Sequence, residues 1–238
     1  MMSFSKSLGL TLALSFAGAL PLAASPFTLT LHMTANPGGF WADPDGALEN
    51  VLSNYAPEAK ANAGTRFWTI CLETDEFFWP GKKYNASITG TIANGGGSNS
   101  NTGDAISIGT AFLYKQFATG NLDNLMVPYG GFSYNATGGA RLQNTIWALE
   151  NEAGKVADAQ LVNLLTAVFG AGSYSGNYLG NEVMVMNLTR FDGPGGDGQA
   201  GTARQDMLVL NQVPEATATV ALLGAAFVGL AVVRRRRS

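Results

Sequence analysis

The sequence predicts an α+β fold, a β-sandwich or barrel that carries a helical insertion, in a single domain over residues 25–212. Strand-like segments occupy both ends of this region, and segments with helical spacing lie between them. Turn sequences such as Pro80-Gly81 separate the segments, and no internal repeat is visible. With 188 residues, the region is long enough for one domain with its own core.

The predicted strands rest on alternation and composition. Phe27–Met33 alternates apolar and polar residues, and residues 67–72 are rich in β-branched and aromatic side chains. A turn is expected at 36–39, and residues 94–104 are nearly all Gly, Ser and Asn, which predicts a flexible loop. The predicted strands are 27–33, 67–72, 84–92, 183–188 and 207–210.

The predicted helices rest on spacing. Leu142, Ile146 and Leu149 recur at i, i+4 and i+7, as one face of a helix requires. Gly170 follows another apolar segment in the position typical of a helix C-terminus. The predicted helices are a short one within 48–61, then 105–118, 141–151 and 160–169.

Residues 1–24 are predicted to be a secretory signal peptide. A single charge, Lys6, precedes an uncharged run from Leu8 to Leu20, and small residues follow Pro21. We expect cleavage after Ala24. The alternative, a buried N-terminal helix, fits poorly, because the segment offers no polar face and the run is too short to span a bilayer well.

Residues 213–238 have the pattern of a membrane-spanning tail. The stretch 216–233 carries no charge, and a helix of that length extends ~27 Å, enough to cross the hydrocarbon core. The positive-inside rule would hold the arginines that follow in the cytoplasm. These are Arg234, Arg235, Arg236 and Arg237.

The triplet Val213, Pro214 and Glu215, followed by this helix and its arginines, resembles the PEP-CTERM sorting signal of Gram-negative bacteria. Ala216 stands where that family usually has a second proline. The resemblance implies that an exosortase recognises the tail, cleaves near Pro214–Glu215, and delivers the protein to the cell surface or the extracellular matrix. A plain single-span anchor is the alternative interpretation, although it does not account for the triplet.

The exported domain is distinctly acidic. Residues 25–212 contain nine basic and sixteen acidic residues, a net charge of −7, whereas the whole chain carries −3. This charge argues against nucleic acid as a partner and favours neutral or cationic partners, or divalent cations. One Cys and one His exclude a disulfide framework and a multi-histidine metal centre.

Cys71 needs an explanation, because an unpaired thiol in an exported chain is oxidised unless it is buried or chemically used. It lies in Phe67-Trp68-Thr69-Ile70-Cys71-Leu72-Glu73, and a later segment reads Leu142-Gln143-Asn144-Thr145-Ile146-Trp147. Together these segments resemble the thioester-domain family of bacterial surface adhesins. Members carry a Cys in a Tyr/Phe-Cys-Ile/Leu-Asp/Glu strand and a Gln in a Thr-Gln-x-Ala-Ile-Trp helix. Here Leu142 replaces the Thr, and Thr145 replaces the Ala.

The resemblance implies that the Cys71 thiol attacks the Gln143 carboxamide, expels ammonia and leaves an internal thioester. An amine on a host or matrix protein could then open the bond, and Trp147 would pack the helix behind the pair. Such a bond needs a strand beside a helix, little water and no competing thiol. The alternative is that Cys71 is a core thiol and Gln143 a surface residue of the same fold.

Acidic residues support a second, hydrolytic interpretation. Glu73, Asp75 and Glu76 lie close together in the sequence, and Glu150 and Glu152 follow the glutamine helix. Two carboxylates can hydrolyse a glycosidic bond, although exposed acidic clusters are usually solvated surface.

No metal site or cofactor is predicted. The fragments 43–46 and 195–198 resemble parts of calcium loops, but neither completes an EF-hand or a Gly-Asp repeat. His32 lies in a predicted strand, and no motif supplies the Ser and Asp that a triad would need. The sequence therefore defines no catalytic residue set.

These observations predict an exported bacterial protein, anchored in the inner membrane before processing and at the cell surface or outside the cell afterwards. The expected role is adhesion or extracellular matrix and envelope structure, through a Cys71–Gln143 thioester. Expected partners are an exosortase, the secretion machinery, the membrane, and surface or matrix proteins or polysaccharides. The alternatives are a secreted hydrolase of extracellular polysaccharide, which is less favoured, and a passive matrix component.

Overall fold

The structure is a computed structural model that describes residues 27–34, 39–44, 67–74, 76–88, 90–93, 103–152, 154–199 and 203–211. Up to residue 44, side chains are described for Thr28, Leu29 and Thr30. The predicted signal peptide, the predicted helix within 48–61 and the predicted sorting tail lie outside the described residues. None of the described helices has the length and apolar character that crossing a membrane requires.

The described chain combines helices with antiparallel sheet, which confirms the predicted α+β class. The described strands are β1 (Phe27–Thr34), β2 (Gly39–Pro44), β3 (Phe67–Thr69), β4 (Lys83–Ile88), β5 (Ile92–Ala93), β6 (Asp104–Ala105), β7 (Val183–Arg190) and β8 (Ala203–Leu210). The described α-helices are α1 (Ile108–Ala118), α2 (Leu122–Met126), α3 (Ala136–Leu149) and α4 (Ala159–Phe169), with 3-10 turns at Val127–Tyr129 and Ser173–Ser175.

The main sheet has six antiparallel strands in the order β3-β2-β1-β4-β7-β8, while β5 and β6 form a small ribbon. Just beyond β3, the chain meets β8 at an isolated bridge between Cys71 and Met207. The pairing of the described strands therefore closes no barrel, and it forms no second sheet large enough for a sandwich. The finer prediction, a sandwich or barrel, is not shown.

Two apolar clusters lie on opposite faces of this sheet, because successive residues of a strand point to opposite sides. In β7, Val183 and Val185 face the helices, while Met184 and Met186 face away from them. We call the second group the Cys71 cluster. It consists of Leu29, Phe67, Cys71, Tyr84, Ala86, Ile88, Met184, Met186, Leu188, Met207 and Val209.

The strand predicted at 84–92 is divided in two. Its first part, β4, ends at Ile88, and β5 begins at Ile92. Between them Gly90 has φ = 96°, a left-handed conformation that glycine adopts without steric cost and that interrupts a strand. The Gly90 carbonyl instead accepts a hydrogen bond from the Val185 N–H at 2.6 Å.

The observed helix boundaries differ from the predicted ones where a capping side chain sets the first residue of the helix. The helix predicted at 105–118 begins at Ile108, because the Ser107 side chain caps it and Asp104–Ala105 pairs with β5. The helix predicted at 141–151 begins at Ala136, behind the side-chain cap of Asn135. The helix predicted at 160–169 and the strands at 27–33, 183–188 and 207–210 are confirmed, with ends that extend by up to four residues. Strand β2 and helix α2 were not predicted.

Candidate functional site

Cys71 lies just beyond β3, where the chain passes along β8. The Leu72 N–H donates to the Asp206 carbonyl at 2.9 Å, and the Ile70 carbonyl accepts from the Leu208 N–H at 3.0 Å. Consecutive residues of an extended chain direct their backbone groups to opposite sides. The N–H and C=O of Cys71 therefore point away from β8, to a side where pairing between β3 and β2 has ended at Thr69.

The side chain of Gln143 occupies that side. Its Oε1 accepts from the Cys71 N–H at 3.0 Å, and its Nε2 donates to the Cys71 carbonyl at 2.7 Å. The Gln143 carboxamide thus makes the two hydrogen bonds to the Cys71 backbone that a neighbouring strand would otherwise make. Both residues are buried, with 3% of Cys71 and 9% of Gln143 exposed. The structure therefore brings together two residues that the sequence singled out, and the alternative of a surface Gln143 is wrong.

Helix α3 positions Gln143 because one stripe of its side chains packs in the helix-side core and the adjacent stripe faces Cys71. Leu142 and Ile146 are fully buried in the helix-side core, which anchors the helix. Gln143 and Trp147, four residues apart, lie on the adjacent stripe and face the Cys71 segment. Trp147 packs against the Cys71 cluster.

The two positions that depart from the thioester-domain pattern have structural roles here. Leu142 is a core residue. The Thr145 hydroxyl donates to the Arg141 carbonyl at 2.8 Å and accepts from the Asp158 N–H at 2.9 Å, which ties α3 to the start of α4. Neither substitution disturbs the contact between Gln143 and Cys71.

The thiol is free and lies among apolar side chains. Burial raises the pKa of Cys71 well above its ordinary value, because the thiolate would lose its hydration. The thiol therefore stays protonated in the folded chain and is protected from oxidants, which react with exposed thiolates.

A buried pair of carboxyl groups lies beside this site. Glu73 and Glu152 are only 6% and 7% exposed. Burial raises the pKa of Glu73 to about 9, with further contributions from the charge and hydrogen bond of Glu152 and from the charges of Asp206 and Glu76. Glu73 is therefore protonated at neutral pH.

Glu152 also ties the Cys71 segment to the end of α3. Its Oε2 accepts from the Thr74 N–H at 3.2 Å and from the Thr74 hydroxyl at 2.5 Å. Its own N–H donates to the Trp147 carbonyl at 2.8 Å. Sequence analysis missed Thr74 and Asp206 as parts of this site, since no local signal links residues so far apart in the chain.

Glu150 belongs to a different place, a cleft of about 600 Å³ that Asp104, Ser107 and Asn177 also line. Its carboxylate accepts from the Ser107 N–H at 3.1 Å. Burial raises the pKa of Glu150, an effect that the Ser107 hydrogen bonds partly offset. The structure therefore separates the acidic residues that the sequence grouped, and Asp75 lies outside the described residues.

The calcium-like fragment at 195–198 has another explanation. The Asp197 carboxylate is fully buried and binds Arg204 at 2.5 Å, so a guanidinium already balances its charge. Within the described ranges, no group of three His, Cys, Asp or Glu residues is arranged to hold a metal ion. The side chain of His32 is not among those described, and the triplet at 213–215 and the four terminal arginines lie outside the described ranges.

No protein-family model, curated protein or solved structure matches this chain.

Proposed function

We propose that this chain is an exported, surface- or matrix-sorted bacterial protein that serves adhesion or matrix attachment through an internal thioester between Cys71 and Gln143. One observation carries the proposal: two hydrogen bonds, of 3.0 and 2.7 Å, hold the Gln143 carboxamide against Cys71 in a buried site. Positioning of this kind replaces a bimolecular encounter with an intramolecular one.

The reaction balances without a cofactor. The Cys71 sulfur adds to Gln143 Cδ, and the thiol proton passes to Nε2. The bond between Cδ and Nε2 then breaks, and ammonia leaves a thioester. An amine of a partner protein can later attack Cδ, which forms an amide and returns the thiol to Cys71.

The surroundings favour storage of such a bond. The site is buried, so water has little access to hydrolyse it. The chain has one Cys, so no second thiol can exchange with the thioester. The raised pKa of Cys71 makes formation slow, which a reaction that occurs once per molecule tolerates.

Intact-mass measurement of the exported chain tests the proposal. We expect a mass lower by one ammonia, and a mass higher by one methylamine relative to that species after incubation with methylamine. Both changes should disappear in Cys71→Ala and Gln143→Glu and persist in Gln199→Glu, a matched change at an exposed glutamine. A wild-type mass equal to the unmodified chain, with a free thiol at Cys71, contradicts the proposal.

Sorting is proposed from the tail, and it is tested separately. Cell fractionation should locate the wild-type chain at the surface or in the medium, with residues after the 213–215 triplet removed. Replacing Pro214 and Glu215 by alanine should leave the chain uncleaved in the inner membrane. Normal release of that variant would contradict recognition by an exosortase.

Hydrolysis of a polysaccharide is the second candidate, and Glu150 with Asp104 in one cleft is the observation that favours it. Glu73 and Glu152 fit less well, since hydrogen-bonded carboxyls are closer than the roughly 5–9.5 Å that glycosidases need. Glycan cleavage that Glu150→Gln abolishes and Cys71→Ala leaves intact would favour the hydrolase over the thioester.

A further inference from the structure

We propose that the indole N–H of Trp147 and the backbone N–H of Cys71 together bind the oxygen of Gln143 that becomes negatively charged when the thioester forms and when an amine opens it. The inference rests on the proposed thioester. It adds a catalytic residue, Trp147, which the sequence assigned to packing alone.

An unsatisfied donor points to this role. Trp147 Nε1 is buried, and it has no hydrogen-bond partner among the described residues. Buried indole N–H groups usually find an acceptor, because leaving one unpaired costs its lost hydration. A buried donor with no acceptor among the described residues, beside the proposed bond-forming pair, points to an acceptor that exists only during the reaction.

Helix geometry places the indole ring near Gln143. Gln143 and Trp147 are four residues apart in α3, and helical side chains lean toward the N-terminus. The indole therefore lies over the turn that carries Gln143. Its ring packs on the Cys71 cluster, while Lys155 Nζ lies 4.2 Å from the ring centroid. These contacts fix the orientation of the ring before any reaction begins.

The first donor is already in place. The Cys71 N–H donates to Gln143 Oε1 at 3.0 Å. When Sγ adds to Cδ, the carbonyl bond becomes single and Oε1 takes the negative charge. The nucleophile's own backbone N–H then acts as one half of an oxyanion hole, an arrangement that serine proteases also use. The Trp147 N–H supplies the second half.

As the tetrahedral species collapses, the carbonyl re-forms and Nε2 departs with the former thiol proton as ammonia. The Cys71 carbonyl thereby loses the donor that Nε2 supplied. Attack by an amine regenerates the same oxyanion on the same oxygen. Removing the indole N–H should therefore slow both formation and opening.

The test replaces Trp147 in the full chain by phenylalanine and by 3-benzothienylalanine, which keeps the ring shape but lacks the N–H. Ammonia loss after synthesis, and opening by methylamine, are followed by time-resolved intact mass. We expect both rates to fall about 10²-fold with either replacement, as for loss of one oxyanion donor. Trp79→Phe, at a ring that is 43% exposed, should change neither rate.

The outcomes separate the two proposals. If wild-type chain forms a thioester and the benzothienyl variant reacts at the same rates, the role of Trp147 is wrong and the thioester stands. If wild-type chain never loses ammonia, the proposed function fails and this inference fails with it. Should the phenylalanine variant not fold, the benzothienyl variant alone decides, since it preserves the packing.

Discussion

Two buried carboxyl groups of this domain respond to burial in opposite ways, since one stays charged and the other stays protonated. Asp197 is fully buried, and Arg204, itself 6% exposed, binds it at 2.5 Å. That hydrogen bond lowers the pKa of Asp197, so the carboxylate keeps its charge. Glu73 is equally hidden but faces other acids, Glu152 above all, and it keeps a proton instead. The Asp197 carboxylate is held by a guanidinium, whereas the protonated Glu73 lies beside the candidate thioester site.

The two groups make the free energy of unfolding depend on pH in opposite directions. Native Glu73 holds its proton up to about pH 9, while the unfolded chain releases it near 4.5, so stability from this group falls as pH rises between these values. Asp197 has a lowered pKa, so its contribution is present above 3.8 and is lost as pH falls through its native pKa. A profile of unfolding free energy against pH should therefore decline on both sides.

The largest expected effect comes from breaking the ion pair. Arg204→Met leaves the Asp197 carboxylate buried without its cation, which should lower the free energy of unfolding by about 3–5 kcal/mol. Urea denaturation at pH 7 measures the change. The matched control is Arg190→Met, at a side chain that is 38% exposed, and its loss should be much smaller. Equal losses of unfolding free energy in the two variants would contradict the expectation that the buried ion pair contributes more than the exposed one.

Glu73→Gln should stabilise the protein. The amide can keep a hydrogen bond to Glu152 without taking a proton from solution, so the gain should be about 2 kcal/mol at pH 6 and vanish near pH 4. Denaturation at the two pH values checks this. Glu182→Gln, at an exposed side chain, should give no such pH-dependent difference. A loss of stability at pH 6 would contradict a protonated Glu73.

A smaller effect is expected from the donors to Glu152. Thr74→Val removes the hydroxyl that binds Oε2 and retains the backbone bond, which should cost about 1–2 kcal/mol. If the same bonds keep α3 against the Cys71 segment, ammonia loss should slow as well. Thr189→Val, at an exposed strand position, serves as the control. An unchanged denaturation midpoint and rate would remove Thr74 from the site.

The smallest effect is expected at the surface. Lys115 and Glu182 form an ion pair at 2.8 Å, but their side chains are 39% and 52% exposed. Water and salt screen such a pair, so Lys115→Met should change the unfolding free energy by less than about 0.5 kcal/mol. A change as large as that of Arg204→Met would mean that burial does not decide the strength of these pairs.

The sequence predicted the elements whose signals are local. Helix 160–169 and the strand at 183–188 were found because spacing and alternation are continuous within them. The start of α3 was missed, since Gly138 and Gly139 weaken the helical signal in its first turn and tertiary packing overrides it. Strand β2 was missed because its backbone is paired on both sides by β1 and β3, information that no short window contains.

The candidate site was predicted in part. Cys71 and Gln143 were singled out by resemblance, and their contact is a property of the fold. The separation of the acidic residues was not predictable, because Glu150 and Glu152 are two positions apart yet bind residues of different segments, Ser107 and Thr74. No sequence pattern indicates that the indole nitrogen of Trp147 has no hydrogen-bond partner among the described residues.

The contact between Gln143 and Cys71 joins positions 72 residues apart in the chain. Neither group is near the other until β3 has met β8 and α3 has packed on the core. In the unfolded chain, Cys71 and Gln143 are therefore an ordinary thiol and an ordinary amide. The proposed thioester can form only after the domain has folded, because folding alone brings the two groups together.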